Sequence, residues 1–160
     1  MSRRAVTITS LELTDPEAIV LPVRPAPPGL AIAAVHDPAV NRRLYEEIGA
    51  DFRWTDRLGW GAARWARHAA DVHTRVATVD GVVAGYHELR PDATGVEVAI
   101  FGLLAHARGT GLGGHLLVDA LRAGLALAPR VWLHTCTHDD PRALPNYEAR
   151  GLRVFDVRPG

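Results

Sequence analysis

Residues 96–117 read VEVAIFGLLAHARGTGLGGHLL. An apolar stretch, 96–104, reads as a strand; a basic residue, Arg108, follows; then glycines at 109, 111, 113 and 114 run into a helical pattern opening at Leu112. The first amides of a helix have no intrahelical partner, and the macrodipole there is positive. Small residues leave those amides bare, so residues 108–114 read as an anion cradle suited to phosphate.

Three phosphate-binding turns compete for this stretch. A Walker loop ends in Gly-Lys-Ser/Thr, whereas these glycines run into His115. A dinucleotide fingerprint, G-x-G-x-x-G, is satisfied by Gly109 to Gly114, and Asp139 and Asp140 follow one strand later. Its strand, however, runs almost directly into the first glycine, while here Ala105-His106-Ala107-Arg108 intervenes, and too few residues follow Asp140 for more βα units. The third fits better. Arg108-Gly109-Thr110-Gly111-Leu112-Gly113 resembles the Arg/Gln-x-x-Gly-x-Gly/Ala pyrophosphate loop of the GNAT superfamily of N-acetyltransferases, which bind acetyl-coenzyme A.

The likeness extends along the second half of the chain. Upstream, Asp80-Gly81-Val82-Val83-Ala84-Gly85-Tyr86 resembles the hairpin that precedes the loop strand. Downstream, Val131-Trp132-Leu133-His134-Thr135-Cys136-Thr137 resembles the following strand, and Asn146-Tyr147-Glu148-Ala149-Arg150-Gly151-Leu152 the Asn-x-x-Ala and Tyr-x-x-x-Gly-Phe helix, with Leu152 in place of Phe and Asp140 where Asn is frequent.

The resemblance implies a single-domain α/β (α+β) fold: a GNAT-like mixed, mostly antiparallel twisted sheet, helices on both faces, and a splayed strand pair forming the coenzyme A channel. It divides the chain into an N-terminal strand and Pro-rich connector (1–30), a helical acceptor-side region (36–70) and a cofactor-binding core (72–157). Acetyl-coenzyme A as co-substrate is then held by Arg108, Gly109, Thr110, Gly111, Leu112, Gly113 and Gly114, and its thioester by the strand edge at Phe101, Gly102 and Leu103. Tyr147 occupies the position of the proton donor to the departing thiolate. Glu97 is the first choice of base for the amine, directly or through water, with Glu88, His134 and Asp56 behind it. The implied reaction is direct acetyl transfer, in a ternary complex, to a primary amine of a small or amino-acid-like acceptor contacted by Trp54, Asp56, Glu88 and His134. A non-catalytic acyl-coenzyme A binding module is the alternative.

Composition narrows the partners. Lys+Arg and Asp+Glu are 18 each, a balance that offers neither a basic face for nucleic acid nor a polybasic membrane anchor. A small molecule is the expected partner, and a homodimer is compatible with it. The one cysteine, Cys136, forbids an internal disulfide and suits a reducing compartment. Arg3 and Arg4 resemble the charged start of a signal peptide, but Thr7, Thr9, Ser10 and Glu12 interrupt any apolar region behind them. Cytoplasmic location is the expectation. His134, Cys136 and His138 share one strand parity, yet no fourth ligand suggests itself and no metal is implied.

Elsewhere the elements are read from local signals. Residues 5–13 favour a strand, and Pro22, Pro25, Pro27, Pro28 and Gly29 make an extended connector. Residues 30–35 resume a strand, and Asp37-Pro38 starts a helix that Gly49 stops. Trp54, Trp60 and Trp65, among Asp51, Arg53, Asp56 and Arg57, either pack helices on the sheet or line an acceptor pocket, or both. Strands 72–79 and 82–89 meet at an Asp80-Gly81 turn. Alternation places Glu97, Ala99 and Phe101 on one face of the next strand and Val96, Val98 and Ile100 on the other. Pro145 implies a kink in the last helix or a late start to it.

Overall fold

The computed structural model describes residues 5–160; Arg3 and Arg4, with the rest of the first four residues, lie outside the described residues. The elements run β1 (Thr7–Leu13), β2 (Leu30–Ala34), α1 (Pro38–Gly49), α2 (Ala62–Asp71), β3 (His73–Val79), β4 (Val82–Asp92), β5 (Gly95–Leu103), α3 (Leu112–Leu127), β6 (Val131–Cys136), α4 (Ala143–Ala149) and β7 (Arg153–Pro159). Local chemistry sets several of these bounds. The Asp37 carboxylate accepts the Ala39 amide at 3.0 Å ahead of Pro38 at the first helical position. Asp80 and Gly81 both take positive φ, 49° and 80°, as a tight hairpin turn requires. Pro145 sits in the first turn of α4, where its missing N–H costs no intrahelical bond, so the helix starts late and runs without a break.

One sheet of seven strands, in the order β2-β3-β4-β5-β6-β1-β7, carries helices on both faces. Its pairs are antiparallel except β5–β6. On one face Leu44 and Ile48 of α1 pack with Val76, Tyr86 and Ile100; on the other Leu117 and Leu121 of α3 pack with Val96, Val98, Leu133 and Tyr147. Fully burying each such leucine contributes on the order of 1.5–3 kcal/mol. The N-terminal strand β1 lies between β6 and β7, with Ile8 opposite Cys136 and Thr9 opposite Val157. Its Leu11 and Leu13 join the same core as Leu133 and Leu152.

Strict alternation fails in β5. Glu88 pairs with Ile100 and the next residue, Leu89, with Val98, which leaves Ala99 as a bulge. The extra residue reverses the faces beyond it: Val98 and Phe101 both pack toward α3 and α4, while Ile100 packs toward α1.

A charged cluster fastens α3 to the sheet. Asp119 accepts from Arg75 Nε at 2.8 Å and Nη2 at 2.9 Å, and from buried His87 Nε2 at 2.7 Å. Burial alone would raise the Asp119 carboxyl, but the bonds from His87 and Arg75 outweigh it and push it down to about 2 from the ordinary 3.8. Between those values the unfolded chain binds more protons than the folded one, so this contribution is complete above pH 3.8 and is lost as pH falls toward 2. Asp119→Asn is expected to flatten that acid limb in melting temperature measured against pH, and to lower stability at neutral pH.

Candidate active site

The parallel pair β5–β6 is joined only at Val96–Val131 and Glu97–Trp132. Past these positions the strands diverge, and among the described residues the edge of β5 that faces β6 has no strand partner from Val98 onward. A cavity of about 790 Å³ opens in the gap, lined by residues 97–103 of β5, Leu133, His134 and Cys136 of β6, the glycine turn and α4.

The turn has the geometry that bare amides need. Gly109 and Gly111 take φ of 74° and 90°, and α3 begins at Leu112 with no side-chain cap. Leu112 is fully buried and does not itself line the cavity, so its side chain leaves the turn open. Thr110 turns its hydroxyl back to the Ala107 carbonyl at 2.6 Å. Gly109, Gly111, Gly113 and Gly114 all line the cavity. Asn146 of α4 donates to the Gly113 carbonyl at 3.2 Å and so ties α4 to the first turn of α3.

Arg108 is less free than its place before the glycines suggests. Its Nε donates to the Leu103 carbonyl at 3.1 Å, its Nη1 to Asp51 at 2.8 Å, and its guanidinium lies 4.5 Å from the Phe52 ring centroid. Only Nη2 is left, buried without a partner among the described residues. An orphaned cationic nitrogen beside uncapped amides fits a diphosphate.

Tyr147 lines the same cavity, 6% exposed, with its ring edge-on to Phe101 at 6.0 Å. Burial pushes its phenol well above the ordinary value, and the charges of Asp139 and Asp140 add to the shift, so the group keeps its proton. Glu97 lies at the joined end of the strands and accepts from Arg90 Nη2 at 3.1 Å. His134 is exposed on β6, with its ring 6.3 Å from that of Trp132.

The wall opposite α4 comes from the segment after α1. Trp54 and Asp56 line the cavity, and Gly102 lets Trp54 approach β5, since a Cβ there would stand 3.0 Å from the indole and 2.9 Å from Ile48. Trp54 also packs on Tyr45 with ring centroids 5.6 Å apart, so it both packs and lines. Trp60 lines the cavity as well, whereas Trp65 is buried core.

Glu88 does not join this group. It is 0% exposed, with Oε2 accepting from Asn41 at 2.7 Å and Oε1 meeting Arg57 Nη1 and His68 Nε2, each at 2.8 Å. Burial would raise its carboxyl, but the hydrogen bond from His68 and the Arg57 charge hold it below the ordinary value. A carboxylate so enclosed has no face left for an acceptor, which corrects its assignment as a contact residue. Sequence reasoning also missed three arginines beside the turn, Arg24, Arg142 and Arg150. Arg24 is 85 residues away from the carbonyl it binds, a separation that no local pattern reports.

The fold recurs in solved structures. A GCN5-related N-acetyltransferase from Kribbella flavida superposes with a TM-score of 0.64 at 22% identity, over 96% of this chain and 58% of that one. One from Sphaerobacter thermophilus gives 0.67 at 19%, over 98% and 51%. An aminoglycoside acetyltransferase from an uncultured soil metagenomic sample, in complex with trehalose, gives 0.62 at 13%, over 76% and 87%. At such identities the likeness is one of fold, and the chain spans less than two thirds of the first two structures. No curated protein matches the sequence. The acetyltransferase (GNAT) family model matches residues 41–152, from α1 through the wall, the splayed strands and the glycine turn to the end of α4, and on that match the chain belongs to the GNAT acetyltransferase family.

Proposed function

We propose that this chain transfers an acetyl group from acetyl-coenzyme A to the primary amine of a small-molecule or amino-acid-like acceptor, by direct attack in a ternary complex. The observation that carries this reading is the opening of the uncapped turn 109–114, the unpartnered edge of β5 and the protonated Tyr147 onto one cavity. When bound, acetyl-coenzyme A supplies an activated acyl carbon and a thiolate leaving group. The amides around residues 101–103 polarise the carbonyl oxygen, as preorganised donors at a strand edge do for developing charge. Tyr147 Oη donates its proton, or a hydrogen bond, to the departing sulfur. Glu97 accepts a proton from the amine, directly or through water.

In this reading residues 36–70 form the acceptor side, with Trp54, Asp56 and His134 as contacts, and residues 72–157 hold the cofactor. The N-terminal segment contributes more than a connector, because β1 completes the cofactor half of the sheet. Among the described residues no helix is long and apolar enough to cross a membrane. We place the enzyme in the cytoplasm, with a small-molecule acceptor and a homodimer as the assembly to test.

Ligand-dependent melting tests the reading. Acetyl-coenzyme A at about 100 times its Kd is expected to add roughly 2.7 kcal/mol, a rise of about 5–10 °C for a domain of this size. Gly111→Val is expected to abolish the rise, because residue 111 needs φ of 90° and a Cβ there meets Arg24 at 2.7 Å. Stabilisation by NAD(H) alone would end the acetyltransferase reading. Stabilisation by coenzyme A with no acetyl transfer across a broad amine panel would favour the binding module instead.

A further inference from the structure

Residues 14–29 cross from β1, in the second half of the sheet, to β2 at the far edge, and on the way they are fastened to the glycine turn. Arg24 Nη1 donates to the Gly109 carbonyl at 3.1 Å, and His115 Nε2 donates to the Arg24 carbonyl at 2.8 Å. A Cβ at Gly111 would stand 2.7 Å from Arg24 Cδ, and one at Gly114 would stand 2.9 Å from Pro22 Cγ and 3.0 Å from Arg150 Nη1. Arg24 at Gly111 and Arg150 at Gly114 therefore both lie against the first turn of α3, with Pro22 beside Gly114 as well. The prolines at 22, 25, 27 and 28 fix φ at four positions of this strap, which bends at Val23 and Arg24, so less freedom remains to be lost when it carries a ligand contact.

The charges around the turn are unequal. Arg108 is matched by Asp51 at 2.8 Å, and Arg142 faces Asp140 at 3.4 Å. Among the described residues Arg24 and Arg150 have no carboxylate partner, and Arg150 Nε is buried with no hydrogen bond. In a chain of zero formal net charge, that is a local cationic excess. Arg24 is absent from the cavity lining although it touches the turn, so it meets the turn from its outer side.

We propose that Arg24, with Arg150, binds the ribose 3′-phosphate of coenzyme A. This rests on the reading of the turn as the diphosphate cradle: the amides of residues 109–114 take the diphosphate on the cavity side, and the 3′-phosphorylated adenosine emerges beyond it. A phosphate monoester there needs cations outside the channel, and a guanidinium offers it a planar, bidentate fork. The strap thus adds a cofactor contact from a part of the chain that precedes the matched family region.

Calorimetric titration of the full chain with coenzyme A and with 3′-dephospho-coenzyme A tests this. The wild type is expected to bind coenzyme A about tenfold more tightly than the dephospho form. Arg24→Gln is expected to lose most of that preference while dephospho-coenzyme A binding stays within about twofold, and Arg43→Gln, an exposed change of equal charge on α1, to keep it. An unchanged ratio in Arg24→Gln overturns the assignment. So does an equal loss for both ligands, which would make Arg24 only a brace on the Gly109 carbonyl. If the wild type binds neither ligand, the diphosphate cradle itself is wrong and the 3′-phosphate site goes with it.

Discussion

Tyr147→Phe is expected to lower kcat by about 10²-fold while the acetyl-coenzyme A KM changes by less than about threefold, as loss of a proton donor used only at the departing sulfur would do. Phenylalanine keeps the edge-on packing against Phe101 and the place of the ring among Leu117, Leu121 and Leu133, so the substitution removes the hydroxyl and little else. The phenol stays protonated through the neutral and moderately alkaline range, because burial first, and Asp139 and Asp140 next, hold its titration above it. An alkaline limb in the kcat profile below pH about 10 would therefore belong to another group and persist in the variant. Thiol release followed at saturating acceptor measures the effect. Turnover within about twofold of wild type would remove Tyr147 from the chemistry and leave it a packing residue.

The second large effect is on stability. Arg57→Leu is expected to cost about 3–5 kcal/mol, roughly 6–20 °C in melting temperature for a domain of this size. Arg57 is 9% exposed, and its guanidinium carbon lies 5.3 Å from the Tyr45 ring centroid and 5.2 Å from that of Trp60. Its removal strands the Glu88 charge in the interior with only His68 and Asn41 to face it. Adding Glu88→Leu is expected to recover most of the loss, since two apolar side chains replace a pair that was costly to desolvate. Urea unfolding of both variants and the wild type measures the difference. A single variant within about 1 kcal/mol of wild type, or a double variant no better than the single, would show that this network does not hold the wall on the sheet.

Features set by a few neighbouring residues are legible in the amino-acid sequence alone. Asp37-Pro38, Asp80-Gly81 and the glycines at 109 and 111 each demand a backbone conformation that few residue types supply, so their composition names the turn or cap they form. Properties decided by distant pairing are not legible in this way. The Ala99 bulge is a matter of register against β4, and no residue type announces it. Glu88 looks like any polar strand residue until α1 and α2 close over it with Asn41 and His68. Arg108 reads as a phosphate ligand from its place before the glycines, but no local pattern reports that Asp51, 57 residues away, holds its Nη1 and leaves Nη2 for the site.

The place of β1 bears on how the chain reaches this state during synthesis. Strand β1 must wait for both of its neighbours, since β6 and β7 are made only after residue 130. Until then its edges stay unpaired, and such long-range closure makes folding slow. Trimming the first strand would leave β7 with nothing to zip onto.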